Sequence, residues 1–160
     1  MKVTVLAVGR VKGPLSAPVQ EFEHRAGRYW RLDIVEVEAG GPKGGDKSPE
    51  AVCAAESERL SRRIPAGTDI VALTRRGKAV SSTEFARYLE ELGVRSSPGV
   101  TFVLGGAFGL GADLLAKASR KLALSPMTMP HEMARLVLAE QLYRAGTILK
   151  NEPYHKGSAT

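Results

Sequence analysis

The chain has 160 residues, a length that corresponds to roughly one domain. Its hydrophobic fraction of 43% and charged fraction of 25% are typical of a globular protein and exclude global disorder and a coiled coil. The net charge of +6 and a pI near 9.7 favour a polyanionic partner over a pool of acidic metabolites.

Short β-rich runs alternate with helical patterns along the chain. Strands are predicted over 2–9, 32–37, 69–74 and 100–104, with a less regular fifth strand over 122–129. This alternation is typical of an α/β fold with a largely parallel sheet flanked by helices. We therefore expect residues 1–160 to form a single domain.

Three helices are predicted between the first four strands, over 15–29, 49–63 and 82–92. Two of them begin with residues that cap a helix amino terminus, and one ends at a glycine. These residues are Ser48 with Pro49 for the second helix, Ser81 and Glu84 as a capping box for the third, and Gly93 at the end of the third.

The segment 39–47 contains paired glycines on either side of Pro42 and Lys43. Such a composition interrupts both helix and strand, so the segment is predicted to be a mobile loop of basic character. It is either a plain surface linker or a loop that faces RNA.

Cysteine content and apolar patterning indicate the compartment. Cys53 is the only cysteine, which excludes an internal disulfide and a zinc site with several cysteine ligands and fits a reducing environment. The first apolar run ends at Gly9-Arg10, too early for a secretory signal. Since no apolar run reaches the ~18 residues of a membrane span, we expect a soluble, cytoplasmic protein with no membrane partner.

A glycine-rich turn, 105–111, follows the fourth predicted strand and leads into a helix. Glycine permits close approach of the backbone to a ligand and a positive φ. A dinucleotide site requires G-x-G-x-x-G and an acidic residue about 20 positions later. Here the glycine spacing differs and Ser125 stands at that position. The turn therefore serves either tight packing of strand on helix or contact with a ligand.

The segment 124–131, Leu-Ser-Pro-Met-Thr-Met-Pro-His, is largely apolar, and its two prolines prevent a regular strand. Pro130 precedes a helix whose first amides lack intrahelical partners and can donate to a ligand. A flat heterocycle fits among such apolar side chains while backbone groups bind its edge. The alternative is that Met127 and Met129 fill the core.

The last predicted helix, 132–150, carries apolar residues around most of its circumference. At about 1.5 Å per residue it is about 28 Å long, and one small sheet does not bury both of its sides. A twofold dimer is the simplest explanation.

A polar tail with Tyr154 and His155 follows this helix, and it matters only if it docks. Residues 157–160 are expected to be a flexible extension, and His24 is expected on the surface. The arginine pairs 62–63 and 75–76 are either solvated faces or, if RNA binds, phosphate contacts.

The most specific segments of the chain are 105–110, 124–131 and the run Glu140-Gln141-Leu142-Tyr143-Arg144-Ala145. In this order and spacing they resemble the ribosomal RNA large-subunit methyltransferase H family of the SPOUT superfamily. The resemblance covers nearly the whole chain, and its further matches are residues 5–9, Leu73, Gly77-Lys78 and Tyr154-His155.

The resemblance implies a SPOUT-type α/β knot, with the C-terminal part threaded into a trefoil knot, and a homodimer that binds S-adenosylmethionine. Members of the family methylate N3 of a pseudouridine in 23S rRNA on the assembled ribosome. Transferred residue by residue, the resemblance implies cofactor contacts from Leu73, Gly105, Leu124, Ser125, Pro126, Met127, Thr128 and Met129.

Methyl transfer from a sulfonium is an in-line displacement that requires no metal, so positioning and electrostatics dominate. The acceptor nitrogen must lose a proton. We expect His155, with Tyr154, to supply or orient the base. Arg144 is expected to stabilise the developing negative charge or to bind phosphate, whereas His131 is expected to pack at the helix start.

Two other functions are compatible with the sequence. A ribosome-associated RNA-binding protein without catalysis would bind RNA with steep salt dependence and would have no affinity for S-adenosylmethionine. An unrelated enzyme that uses the turn 105–111 would instead prefer a phosphate-bearing nucleotide.

Overall fold

A computed structural model describes residues 1–156 as a five-stranded sheet with helices on both faces. The strands are β1 (Lys2–Val8), β2 (Arg31–Val37), β3 (Asp69–Ala79), β4 (Val100–Leu104) and β5 (Arg120–Ala123). They stand in the order β2-β1-β4-β3-β5, and every neighbouring pair is parallel. The predicted α/β class is therefore confirmed. Residues 157–160, predicted to be a flexible extension, lie outside the described residues.

The α-helices of residues 1–156 connect the strands and follow the last one. They are α1 (Ser16–Ala26), α2 (Pro49–Ser61), α3 (Ser82–Val94), α4 (Ala112–Lys117) and α5 (His131–Leu149). Short 3-10 helices precede α1, at Gly13–Leu15, and follow α5, at Pro153–His155. Strand order does not define a knot, so the C-terminal trefoil knot stays a prediction.

The predicted helix caps are present in α2 and α3. The Ser48 hydroxyl accepts the N–H of Ala51 at 3.2 Å. Ser81 donates its N–H to the Glu84 carboxylate at 2.7 Å, and its hydroxyl accepts the Glu84 N–H at 3.1 Å. These bonds satisfy amides that have no partner within the helix. The predicted end at Gly93 is wrong, because α3 continues to Val94.

The sheet is covered by two hydrophobic clusters, one on each face. Because side chains alternate along a strand, Val3, Val5 and Ala7 of β1 join one cluster while Leu6 and Val8 join the other. The first cluster contains buried residues of α1, α3 and α5, and the second contains those of α2 and α4. The predicted alternation of strands and helices thus produces three layers.

The predicted fifth strand, 122–129, is wrong in its bounds. Strand β5 ends at Ala123, and the chain from Leu124 to Pro130 is neither strand nor helix. Proline lacks the N–H that a strand donates to its neighbour. In addition, the Ser125 hydroxyl accepts the N–H of Met127 at 3.0 Å, which turns the chain away from the sheet.

Helix α5 packs against α1 and α3. Its buried apolar residues include Leu138, Leu142 and Ala145, whereas Leu136 and Val137 are half-buried. Met133 is 40% exposed. The helix therefore keeps apolar surface that its own sheet and neighbouring helices leave uncovered.

Candidate functional site

Three of the predicted cofactor positions lie where β4 and β5 end and where β3 reaches its bulge. In the sheet register, Leu73 of β3 lies opposite Leu104 of β4 on one side and Leu122 of β5 on the other. Gly105 follows Leu104 directly, and Leu124 comes two residues after Leu122. Because the three strands are parallel, the structure brings Leu73, Gly105 and Leu124 close together towards the same end of the sheet.

The glycine-rich turn after β4 folds tightly on itself. Gly109 donates its N–H to the Gly106 carbonyl at 3.1 Å and has a φ of +76°. A Cβ on Gly105 would lie 2.6 Å from the carbonyl carbon of Gly109. Close packing therefore already requires glycine at position 105, and contact with a ligand stays a prediction.

Helix α2 supports this turn from the second face of the sheet. The Ser57 hydroxyl accepts the N–H of Gly111 at 2.7 Å. Glu56 is only 3% exposed; its Oε2 accepts the N–H of Gly40 at 2.9 Å, and its Oε1 would lie 2.8 Å from a Cβ on Gly106. Sequence reasoning missed Glu56 and Ser57, because no local pattern marks a buried carboxylate that meets two distant loops.

The loop 39–47 is neither helix nor strand, as predicted. Its first part is bound to α2 through Arg59, whose guanidinium donates to the carbonyls of Glu38, Gly40 and Gly41 at 2.9, 2.6 and 2.8 Å. Three carbonyl acceptors on one guanidinium hold this part of the loop beside the glycine-rich turn.

The segment 124–129 follows β5 and contains both apolar and polar side chains. Met127 is 76% exposed, so the alternative that it fills the core is wrong. The other predicted cofactor positions of this segment divide into exposed Pro126 and Thr128 and half-buried Leu124, Ser125 and Met129.

Two adjacent pockets, which together we call the cleft, lie between Leu124 and the C-terminal residues. Its first part has a volume of about 160 Å³ and its lining includes Leu124, Ser82 and Gln141. Its second part shares Ser82 and Gln141 and reaches Arg144 and His155. The Ser82 hydroxyl donates to the Gln141 side-chain oxygen at 2.7 Å between the two parts. The remaining lining of the first part is Val80, Ser81, Phe85, Leu122, Ala123 and Val137.

Glu140 organises the predicted catalytic side chains Arg144 and Tyr154. Its Oε1 accepts from Nε and Nη2 of Arg144 at 2.9 and 2.6 Å and from the Tyr154 hydroxyl at 3.0 Å. The hydrogen bond to Glu140 raises the pKa of Arg144. Burial, followed by the hydrogen bond to Glu140, raises the pKa of Tyr154. Sequence reasoning gave Glu140 no role, although its spacing of four residues from Arg144 was a signal for an ion pair.

His155 lies half-buried beside Thr147, with Nδ1 3.4 Å from the Thr147 hydroxyl oxygen. That hydroxyl donates its proton to the Arg144 carbonyl at 2.7 Å. Because a hydroxyl has one proton, its oxygen is left to accept from His155. This arrangement favours a hydrogen on Nδ1, so that in the neutral imidazole the lone pair is on Nε2.

The tail that carries these residues is docked on α5. The Tyr143 and Tyr154 rings are 4.5 Å apart between centroids. The Tyr29 hydroxyl donates to the Glu152 carboxylate, and this hydrogen bond raises the pKa of Tyr29 to about 12. Tyr29 also fills the space above Gly146, where a Cβ would lie 2.2 Å from its ring. The docking required for a functional tail is therefore present.

The other histidines lie apart from this cluster. His131 is the first residue of α5 and lies 3.3 Å from the Glu132 carboxylate, and His24 is exposed on α1. Within residues 1–156, no three histidine, cysteine or acidic side chains are grouped to hold a metal ion. In the same part of the chain, no helix combines the length and apolar character needed to cross a membrane.

Known proteins match this chain over nearly its whole length. A family model described as "Predicted SPOUT methyltransferase" matches residues 1–155. A Gemmatimonas aurantiaca protein named "Ribosomal RNA large subunit methyltransferase H" is 45% identical, covering 98% of this chain and 100% of the relative. A protein of the same name from Syntrophotalea carbinolica is 43% identical, covering 97% of this chain and 99% of the relative.

One solved structure matches the fold. A "probable methylase family protein" from Haemophilus influenzae Rd KW20 has a TM-score of 0.52 at 14% identity, covering 93% of this chain and 68% of that chain. At this identity the likeness concerns the arrangement of strands and helices.

Proposed function

Because the chain belongs to the SPOUT methyltransferase family, we propose that it methylates large-subunit ribosomal RNA with S-adenosylmethionine as donor. The proposed target is N3 of a pseudouridine in 23S rRNA on the assembled ribosome. The observation that carries this proposal is the cleft between Leu124 and His155, with Leu73 and Gly105 brought near Leu124 by the sheet register.

The residues that line the cleft fit the proposed donor. The cleft offers the apolar side chains of Phe85 and Leu122 for an adenine ring, and the hydroxyls and amide of Ser81, Ser82 and Gln141 for polar atoms. Leu73, Gly105 and residues 124–129 would hold the cofactor from the strand ends. S-adenosylmethionine, when bound, supplies an electrophilic methyl group.

His155 is the proposed base. The acceptor nitrogen carries a proton that must be removed, and an imidazole with an open Nε2 lone pair can accept it near neutral pH. Thr147 supports this role by accepting from Nδ1. Tyr154 is the poorer base, because its raised pKa keeps its hydroxyl protonated at neutral pH.

Arg144 is proposed to stabilise negative charge on the acceptor ring or to bind a phosphate. Its ion pair with Glu140 orients the guanidinium and its ring contact with Tyr154, at 5.0 Å from the centroid, restricts it further. A guanidinium held in this way remains charged at any physiological pH, since the pair raises its pKa.

We also propose that the protein works as a cytoplasmic homodimer. The support for a dimer is apolar surface near α5 and the strand ends: Met127 is 76%, Phe108 50% and Met133 40% exposed. Exposed large apolar side chains are found at many protein interfaces. Burial of these groups against a second copy would complete the surroundings of the proposed cofactor site.

Calorimetric titration with S-adenosylmethionine tests the proposal. We expect a dissociation constant in the micromolar range, about −8 kcal/mol. Gly105→Ala should abolish measurable binding, because its Cβ would meet Gly109 at 2.6 Å, whereas Gly93→Ala, with no atom within 4 Å, should bind normally. Absence of heat up to millimolar ligand, together with retained RNA affinity, would favour an RNA-binding protein without catalysis.

A second readout is transfer of a labelled methyl group to RNA. Because the proposed target lies in the assembled ribosome, whole ribosomes should be good substrates and naked 23S rRNA a poor one. Equal activity on both would contradict the proposed ribosomal substrate.

A further inference from the structure

The region of the sheet where β3 pairs with β5 is strongly basic. Two stretches, 70–83 and 114–131, contain no carboxylate. Where the two strands pair, these stretches contribute five exposed cationic side chains, which we call the basic edge: Arg75, Arg76, Lys78, Arg120 and Lys121.

The irregular pairing of β3 with β5 gathers these cations. Leu122 pairs with both Leu73 and Lys78, so residues 74–77 bulge out of the ladder. At the centre of this region, a Cβ on Gly77 would lie 2.6 Å from the backbone nitrogen of Leu122 and 2.7 Å from the carbonyl carbon of Lys121. The two backbones are therefore in direct contact, with the basic residues on either side of Gly77 close to those at the start of β5.

The basic edge is not neutralised by the protein itself. Among residues 1–156, none of its five cations forms an ion pair with a carboxylate. Arg120 stacks on the Tyr88 ring at 3.9 Å, and Lys78 contributes to a lowered pKa of Glu84. Mutually repelling cations at one edge favour a polyanion as the occupant.

The basic edge lies close in sequence to residues of the proposed cofactor site. Arg75 follows Leu73 by two residues, and Lys121 precedes Leu122, which lines the cleft. We propose that the basic edge binds backbone phosphates of the RNA next to the target nucleotide and so guides that nucleotide into the cleft. This inference rests on the proposed function for the identity of the polyanion.

The second arginine pair of the chain, Arg62 and Arg63, provides a contrast. It follows α2, and a helix between two parallel strands runs back to the amino side of the sheet. Arg62 also pairs with Glu58 one turn earlier. The two pairs are thus on opposite sides of the sheet, and only 75–76 borders the site.

The test compares two double variants of the full-length protein with the same net charge. Arg75→Gln/Arg76→Gln removes two cations from the basic edge, and Arg62→Gln/Arg63→Gln removes two from the opposite side. Binding to whole ribosomes and to deproteinised 23S rRNA is measured over a series of KCl concentrations. Thermal unfolding verifies that both variants are folded, as expected for exposed side chains.

For the 75–76 variant we expect about tenfold weaker binding to both RNAs, with a salt slope that is less steep by about 1.4 to 1.8, as for two lost phosphate contacts. Its KM for ribosomes should rise while kcat and the affinity for S-adenosylmethionine stay unchanged. The reason is that the lost contacts stabilise the bound RNA equally in the ground state and in the transition state. The 62–63 variant should bind like the wild type.

Equal weakening in the two variants, or unchanged binding in the 75–76 variant, would overturn this inference. Methyl transfer by the wild type would uphold the proposed function in either case. Loss of binding to ribosomes but not to free 23S rRNA would assign the edge to an acidic protein and also overturn it. If the wild type transferred no methyl group, the proposed function would fail, and weaker RNA binding confined to the 75–76 variant would still support the basic edge.

Discussion

Two arginines of α5 occupy contrasting surroundings at the two ends of the helix. The Arg135 side chain is 7% exposed and donates to Glu23 of α1 at 2.9 Å and to Glu36 of β2 at 2.6 Å. The Arg144 side chain is 19% exposed, and its ion pair is with Glu140 on its own helix. The first arginine joins three separate elements, whereas the second orders a local cluster beside a cleft.

The difference separates an ion-pair network that joins distant elements from a local ion pair beside the cleft. Burial lowers the pKa of Arg135, but the hydrogen bonds to Glu23 and Glu36 outweigh it and raise the pKa overall. Removing that arginine would leave two carboxylates without their partner at the contact of α5 with the sheet. Removing Arg144, for which we propose a role in the cleft, should leave the packing of α5 in place.

The largest expected effect is on stability. Arg135→Ala should lower the free energy of unfolding by about 3–5 kcal/mol, because it breaks a buried ion-pair network by removing one partner. Arg144→Ala should cost only about 1 kcal/mol, because it breaks one ion pair within a single helix and Glu140 keeps its hydrogen bonds from Tyr154 and Gln141. Urea unfolding at one protein concentration measures both values. Equal losses would remove the distinction between the two ends of the helix.

The second effect is on turnover. His155→Ala should reduce methyl transfer about 100-fold, the scale of a lost general base, and leave the calorimetric affinity for S-adenosylmethionine intact. His24→Ala, a change at an exposed histidine of α1, is the matched control and should retain full activity. Undiminished turnover of the His155 variant would exclude this residue from the mechanism.

The smallest effect concerns the docking of the tail at high pH. Tyr29 has a pKa of about 12 in the folded protein and about 10 when unfolded. A raised pKa stabilises the fold fully below pH ~10, and this contribution is lost as the pH rises towards about 12. Tyr29→Phe should therefore be less stable than wild type by about 1 kcal/mol at neutral pH, with the difference vanishing towards pH 12.

Urea midpoints at a series of pH values measure this dependence. Tyr143→Phe, which retains the hydrogen bond between Tyr29 and Glu152, should follow the wild type. A constant difference between wild type and Tyr29→Phe across this range would show that the hydrogen bond does not couple tail docking to pH.

Local patterns predicted the secondary structure well. Strand β4 has the predicted bounds, and the caps at Ser48 and Ser81 form the predicted hydrogen bonds. Errors occurred where tertiary contacts extend or shorten an element. Strand β3 continues to Ala79, beyond the predicted end at 74, because β5 pairs with it again after the bulge.

The candidate site was predictable only in part. The resemblance named Leu73, Gly105 and Leu124, and the sheet register brings them together. Glu140, Thr147 and the supporting Glu56 were missed. Glu56 meets loops that are distant in sequence. Glu140 and Thr147 meet Tyr154 and His155 only because the chain turns back after α5, and no short motif encodes the direction of that turn.

The sequence by itself determined the alternation of strands and helices, the helix starts and the basic character of the chain, because these follow from the spacing of residues within one or two turns. Only the tertiary structure decided that Arg135 is buried with two acids, that the tail docks beside the cleft and that one of two arginine pairs borders the site. The physical reason is that burial and ion pairing depend on which elements the sheet brings together, and strand order is a property of the whole chain.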